Sequence, residues 1–222
     1  MNLTCYMCDE IATSSEHAPP RCIFPEQKDL PEGIDYRKNL ITVPSCDEHN
    51  SRKSTDDEFL LFILVHGYFN NDEGRNQFST KVLRAWERRP SFIEYLYKSQ
   101  MPVIVDGEET CAVNIDIDRF NKAISNICRA IYNHEYGEKW MHPFDIISPM
   151  LLAMNQENED LINQRIHAIF KHADSGVRYE QEKGDNKPIF YYKINRKADK
   201  SYLICTFVFY GGFRIAAISR VS

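Results

Sequence analysis

Apolar residues are scattered and aperiodic over the first 55 positions and strongly patterned beyond them. In the early stretch, Ile11 to Thr13 reads as a strand, and Leu40 to Val43, short and β-branched, as a second strand or a turn. Between them, Pro19, Pro20, Pro25 and Pro31 punctuate a loop up to Gly33, and a helix is expected from His49 to about Ser54. Ser54-Thr55-Asp56-Asp57-Glu58 has the capping and acidic residues of a helix amino-terminus. The run Phe59 to Val65 that follows is apolar on every side, so that helix is expected to be buried.

Further on the pattern alternates between helical and strand periods. Gln77 to about Lys98 reads as a helix with Phe78, Val82, Leu83, Trp86, Phe92 and Leu96 as its apolar set and a break at Pro90. Met101 to Val105 and Cys111 to Ile115 read as strands around an Asp106-Gly107 turn. Asp118 to Tyr136 places Phe120, Ala123, Ile124, Ile127, Cys128 and Ile131 on one face, and Gly137 ends that helix. Asp160 to His172 is a further helix. Ile189 to Ile194, Ser201 to Tyr210 and Phe213 to Ile218 read as antiparallel strands, the last two joined by a Gly211-Gly212 turn. The expected fold class is α+β: a small module over residues 1–55, then a mixed α/β domain over 56–222 ending in antiparallel strands.

Composition narrows the setting. A 222-residue chain with 43% hydrophobic residues can bury a sizeable core. A net charge of −5 argues against coating nucleic acid by bulk electrostatics, although a bound divalent ion offsets carboxylates locally. Seven cysteines, an odd number, without a basic-then-apolar leader point to a reducing, cytoplasmic setting in which thiolates serve a metal. The apolar run at 59–65 is far below the ~20 residues needed to cross a bilayer, so no membrane partner is expected.

The chemistry concentrates in the first module. Cys5-x2-Cys8 and Cys46-x2-His49 are two short knuckles of the kind that present four ligands to zinc tetrahedrally. Cys22, Cys111, Cys128 and Cys205 lie singly, and Cys128 and Cys205 fall at core positions. Between the knuckles lie Glu16-His17 and Asn39, with Asn50 and Lys53 just beyond. Phosphodiester hydrolysis requires an activated water and a Lewis acid. His17 is a suitable general base. Glu16 and Asn50 are hard oxygen ligands suited to Mg²⁺ or Mn²⁺. Asn39 would support the loop by hydrogen bonding, although a simple turn-forming Asn accounts for it nearly as well. Lys53, close behind Asn50 on one helical face, is placed to reach a phosphate, although a solvated lysine is the ordinary reading.

Taken together, Glu16-His17 with Pro19, then Asn39-Leu40, then Cys46-x2-His49-Asn50-x2-Lys53-Ser54, resembles the HNH endonucleases with a ββα-metal site, in the branch clamped by zinc knuckles. The resemblance covers about residues 5–54. It implies Glu16 and Asn50 on the catalytic ion, His17 as base and Asn39 as support. Many relatives carry Asp at the Glu16 position and Cys at the His49 position, and the glycine pair often found before the middle Asn is absent here. The expectation is a metal-dependent endonuclease acting on DNA; an RNase using the same site is one alternative. A non-catalytic zinc-dependent module that binds nucleic acid or protein is the competing reading. Residues 56–222 are expected to select substrate, bind a partner or mediate self-association. The basic residues Lys193, Arg196, Lys197 and Lys200 and the aromatics around Gly211-Gly212 are candidate nucleic-acid contacts, against the plainer readings of a solvated loop and a hairpin.

Overall fold

The computed structural model describes residues 3–50, 54–88, 90, 94, 97–154 and 156–221. Helices and strands are mixed, with antiparallel strands at the carboxyl end, an α+β fold. The chain begins with a hairpin, β1 (Ser14–His17) and β2 (Thr42–Ser45), followed at once by the short helix α1 (Asp47–Asn50). β1 and β2 are antiparallel, with Glu16 opposite Val43 and His17 opposite Thr42. The strand predicted at Ile11–Thr13 starts later: Ile11 makes only an isolated bridge to Thr4, closing the loop that holds Cys5 and Cys8. In the helix predicted from His49, residues 51–53 lie outside the described residues, and so does Lys53.

The uniformly apolar segment forms α2 (Ser54–Val65), and every residue from Phe59 to Val65 is buried. Such a helix has no solvent face. It packs against the long helix α5 (Ile117–Tyr136) and the 3₁₀ turn Arg21–Ile23. The predicted single helix from Gln77 begins earlier, as α3 (Asp72–Gln77), because Asn71 caps it by accepting from the Gly74 amide. It widens into a π-helical turn at Phe78–Val82 and resumes as α4 (Leu83–Arg88). Phe92 and Leu96 lie outside the described residues.

β3 (Met101–Val105) and β4 (Glu108–Ala112) form a two-stranded ribbon. α5 starts at its Asp116 cap and ends at Gly137, whose φ of 65° is the left-handed conformation that glycine adopts without a Cβ clash. After β5 (Asp145–Ile147) and α6 (Glu159–Gly176), the strands β6 (Phe190–Arg196), β7 (Tyr202–Phe209) and β8 (Phe213–Arg220) complete a four-stranded antiparallel sheet in the order β5-β8-β7-β6. α5 covers one face, and the Ala173 and Val177 region of α6 covers the other against Ile204, Ala216 and Ile218. Both faces are therefore buried, and β7 and β8 are apolar almost throughout, with little alternation.

The β7–β8 turn takes in three residues, since Phe209 already pairs with Phe213. Tyr210 and Gly211 both have positive φ, at 49° and 68°. The Tyr210 ring is buried and its hydroxyl donates to the Ile23 carbonyl at 2.6 Å. Gly212 packs so closely on the Phe69–Asn70 backbone that a Cβ there would sit 2.1 Å from the Phe69 oxygen.

One continuous core includes Cys5, Tyr6, Ile23, Phe24, Val43 and Cys46 together with α2, α5 and the sheet. Among the described residues, no helix is long and apolar enough to cross a membrane.

Candidate metal centre and the hairpin beside it

The first knuckle is a tight turn held by backbone bonds, Cys5 N to Glu10 O at 2.8 Å and Ala12 N to Leu3 O at 2.9 Å. It is fastened to β2 by Tyr6 N to Pro44 O and Thr13 N to Ser45 O. The second knuckle turns into α1, where the amides of His49 and Asn50 both donate to the Cys46 carbonyl. These constraints bring Cys5 Sγ, Cys8 Sγ, Cys46 Sγ and an imidazole nitrogen of His49 within 4.8 Å of one another. Cys8 and Cys46 sulfurs are 3.7 Å apart, and His49 Nδ1 lies 3.5, 3.5 and 3.1 Å from the sulfurs of Cys5, Cys8 and Cys46. Zinc bonds of about 2.3 Å to sulfur and about 2.0 Å to nitrogen give a tetrahedron with edges of about 3.8 and about 3.5 Å. The four residues therefore form a cluster able to hold a metal ion, with a geometry compatible with zinc.

The surroundings act on the two thiols of the first knuckle in opposite directions. The Met7 amide points at Cys5 Sγ at 3.5 Å. Burial acts to raise the Cys5 thiol, yet amide hydrogen bonds from Met7 and Cys46 hold it below its ordinary value. Cys8 takes a lowering bond from the Glu10 amide, but burial and the neighbouring Cys46 and Cys5 push it up to about 11. The Lys139 ammonium, from the segment after α5, donates to the Cys8 carbonyl at 2.6 Å and to Asp9 at 2.9 Å. Sequence spacing gave no sign of this clamp, because Lys139 is 131 positions away from Cys8.

The cluster pins the hairpin so that Glu16 and His17 end β1. Consecutive strand residues face opposite sides. Glu16 faces inward: it lines a small cleft with Asp56, Leu60, Lys122 and Asn126, and the Tyr6 hydroxyl hydrogen-bonds to it. Burial and the Glu16 charge both raise the Tyr6 hydroxyl well above its usual range. Ser14 shares that strand face, and Asn50 on α1 donates its side-chain amide to the Ser14 hydroxyl at 2.8 Å. The bond fixes the amide nitrogen of Asn50, and among the described residues its carbonyl oxygen has no hydrogen-bond partner. Glu16 and Asn50 are thereby brought to one side of the hairpin.

His17 faces the other way. Burial, and the positive charges of Arg21 and Arg37, lower its pKa and outweigh the Glu16 charge that would raise it. Among the described residues its ring makes no hydrogen bond. Arg21 and Arg37 were not singled out from the sequence: they lie 4 and 20 positions beyond His17 and share no motif spacing with it.

Asn39 is exposed and sits at φ 53°, the left-handed conformation that Asn tolerates better than most residues. Its side chain makes no hydrogen bond among the described residues. Of the basic residues on the sheet, Arg196 and Lys200 both pair with Glu138, and Lys193 lies 3.9 Å from Glu182. Phe209, Tyr210 and Phe213 are buried, so the final hairpin offers no stacking platform for bases. Comparison with protein-family models, curated proteins and solved structures found no match.

Proposed function

We propose that the chain is a metal-dependent endonuclease of the HNH type that hydrolyses DNA phosphodiester bonds, with zinc as a structural ion on Cys5, Cys8, Cys46 and His49. One observation carries this reading. A β-β-α unit closed by a four-ligand cluster presents Glu16 and His17 at the end of one strand and Asn50 on the helix that follows. Glu16 and Asn50 form a hard-oxygen donor pair, which suits Mg²⁺ or Mn²⁺. When bound there, such an ion supplies Lewis-acid polarisation of the phosphate and charge for the leaving oxygen. The neutral His17 ring accepts the proton of the attacking water, and its lowered pKa keeps it unprotonated at neutral pH. Arg21 and Arg37 add positive charge on the same side.

Two observations favour the non-catalytic reading. His17 faces the side of the hairpin opposite Glu16 and Asn50, so the base and the oxygen donors do not share a strand face. In addition, one contact engages the carboxylate. The Tyr6 hydroxyl hydrogen-bonds to Glu16, as it would to a carboxylate kept for structure alone.

The deciding assay gives zinc-loaded protein supercoiled plasmid with Mg²⁺, with Mn²⁺ or with neither, alongside His17→Ala and a parallel RNA substrate. Relaxed or linear DNA that needs the added ion and disappears in the variant is expected. Cleavage of RNA alone would reassign the substrate. A folded, zinc-loaded protein inert on both would leave the binding-module reading.

A further inference from the structure

We propose that Arg21 and Arg37 form a phosphate-binding subsite beside His17 that takes a backbone phosphate of DNA; the identity of the ligand rests on the nuclease reading above. Arg37 is half-buried and uses Nε and Nη2 on one acceptor, the Phe24 carbonyl, at 3.2 and 3.0 Å. Phe24 caps the 3₁₀ turn that begins at Arg21, its amide donating to the Arg21 carbonyl at 3.2 Å, so the Arg37 guanidinium is docked on the turn that carries Arg21. Nη1 has no hydrogen-bond partner among the described residues. Glu26 is 4.0 Å from Nη2 and is shared with Lys28 at 2.6 Å and Lys81 at 3.8 Å, and the Asp35 carboxylate nearby accepts from the Arg37 amide at 2.8 Å. A half-buried guanidinium whose ion-pair carboxylate is shared among three cations keeps a free edge, and its fork geometry matches phosphate oxygens. Arg21 is exposed, and its guanidinium has neither an ion pair nor a hydrogen bond among the described residues. Arg196, Lys200 and Lys193, by contrast, already face Glu138 and Glu182.

The two arginines stand on segments that the rest of the chain holds rigidly. The carbonyls of Cys22 and Ile23, next to Arg21, accept from Lys81 Nζ at 2.8 Å, Gln77 Nε2 at 2.9 Å and the Tyr210 hydroxyl at 2.6 Å. On the other segment, the Tyr36 hydroxyl donates to Glu73 at 2.9 Å, and the Lys38 carbonyl accepts from Asn186 at 2.9 Å. The π-helical turn at Phe78–Val82 contains Lys81 and follows Gln77 directly, so it belongs to this scaffold. Backbone fixed in this way is what a preorganised anion site requires.

The test measures binding of a fluorescein-labelled DNA duplex by the zinc-loaded chain, without added Mg²⁺ or Mn²⁺, across a range of salt concentrations. Removing one arginine–phosphate pairing should reduce the slope of log K against log salt by about 0.9. Arg21→Gln and Arg37→Gln are each expected to show that reduction, and Arg21→Lys and Arg37→Lys to keep most of the wild-type slope. Thermal melts identify any variant that has lost its fold, and Arg21→Gln removes no hydrogen bond or ion pair among the described residues. Slopes unchanged in both Gln variants, or no salt-dependent binding by the wild type, would overturn the subsite. Reduced slopes with no nicking would uphold the subsite and reject hydrolysis. His17-dependent nicking with unchanged slopes would do the opposite.

Discussion

Replacing Cys46 by Ser tests the metal centre directly. The change nearly preserves side-chain volume in a position that is 6% exposed, but it removes the sulfur lying 3.7 Å from Cys8 Sγ and 3.1 Å from His49 Nδ1. A hydroxyl is a poor zinc ligand, so affinity for the ion falls steeply. Each tenfold drop in affinity removes about 1.4 kcal/mol of ion-linked stability. For a chain of this size that is roughly 3–6 °C of melting temperature. A structural zinc is worth about 10–16 kcal/mol in small metal modules, as much as an entire domain's net stability of about 5–15 kcal/mol. Cys46→Ser should therefore lose its zinc and melt well below the wild type, with early hydrogen exchange across residues 3–50. Cys111→Ser, at an exposed thiol, should keep both metal content and melting temperature. Metal content by mass spectrometry and melting curves with and without a chelator provide the check. In excess chelator the wild type should fall to the temperature of Cys46→Ser. Wild-type protein purified without zinc, or a difference in melting temperature that persists undiminished in chelator, would refute the reasoning.

Two further outcomes follow from the contacts between early and late segments. Gly212→Ala should cost about 3 kcal/mol or more and lower the melting temperature by roughly ten degrees, because the new methyl meets the Phe69 carbonyl at 2.1 Å and rigid backbone must move; an unchanged melt would show that the turn has more room than this. Arg84→Ala breaks a two-pronged pair to Asp29, whose side chain is only 6% exposed, and should cost about 1–2 kcal/mol in chemical denaturation. The hydrogen bond and charge of Arg84 hold the Asp29 carboxyl below its ordinary value of 3.8, so the contribution is present at neutral pH and is lost as pH falls below 3.8. The stability gap between wild type and variant should therefore close in acid, and a gap independent of pH would assign it to packing of the Arg84 side chain.

Much of this protein is determined locally. The period of α5, the Asp116 cap and the Gly137 stop are properties of contiguous residues, and they place that helix without reference to anything else. The four residues of the candidate metal cluster were legible for a similar reason, since an x2 spacing lets one short turn present two donors. A run such as Phe59 to Val65 announces burial, although the sequence does not say against what. Tertiary structure decided the rest. The start of α3 moved to Asp72 because Asn71 caps it, and the π turn inside the predicted helix has no local signature. Asn39 proved to be a left-handed turn residue with its side chain exposed, a conformation that a lone Asn in a sequence does not reveal. Strand alternation sends Glu16 toward Tyr6 and His17 toward Arg21 and Arg37, so neighbours in sequence meet different surroundings. The Lys139 clamp on Cys8 and the Tyr210 bond to Ile23 span most of the chain. Such pairings depend on how the core closes, and no spacing rule reaches across that distance.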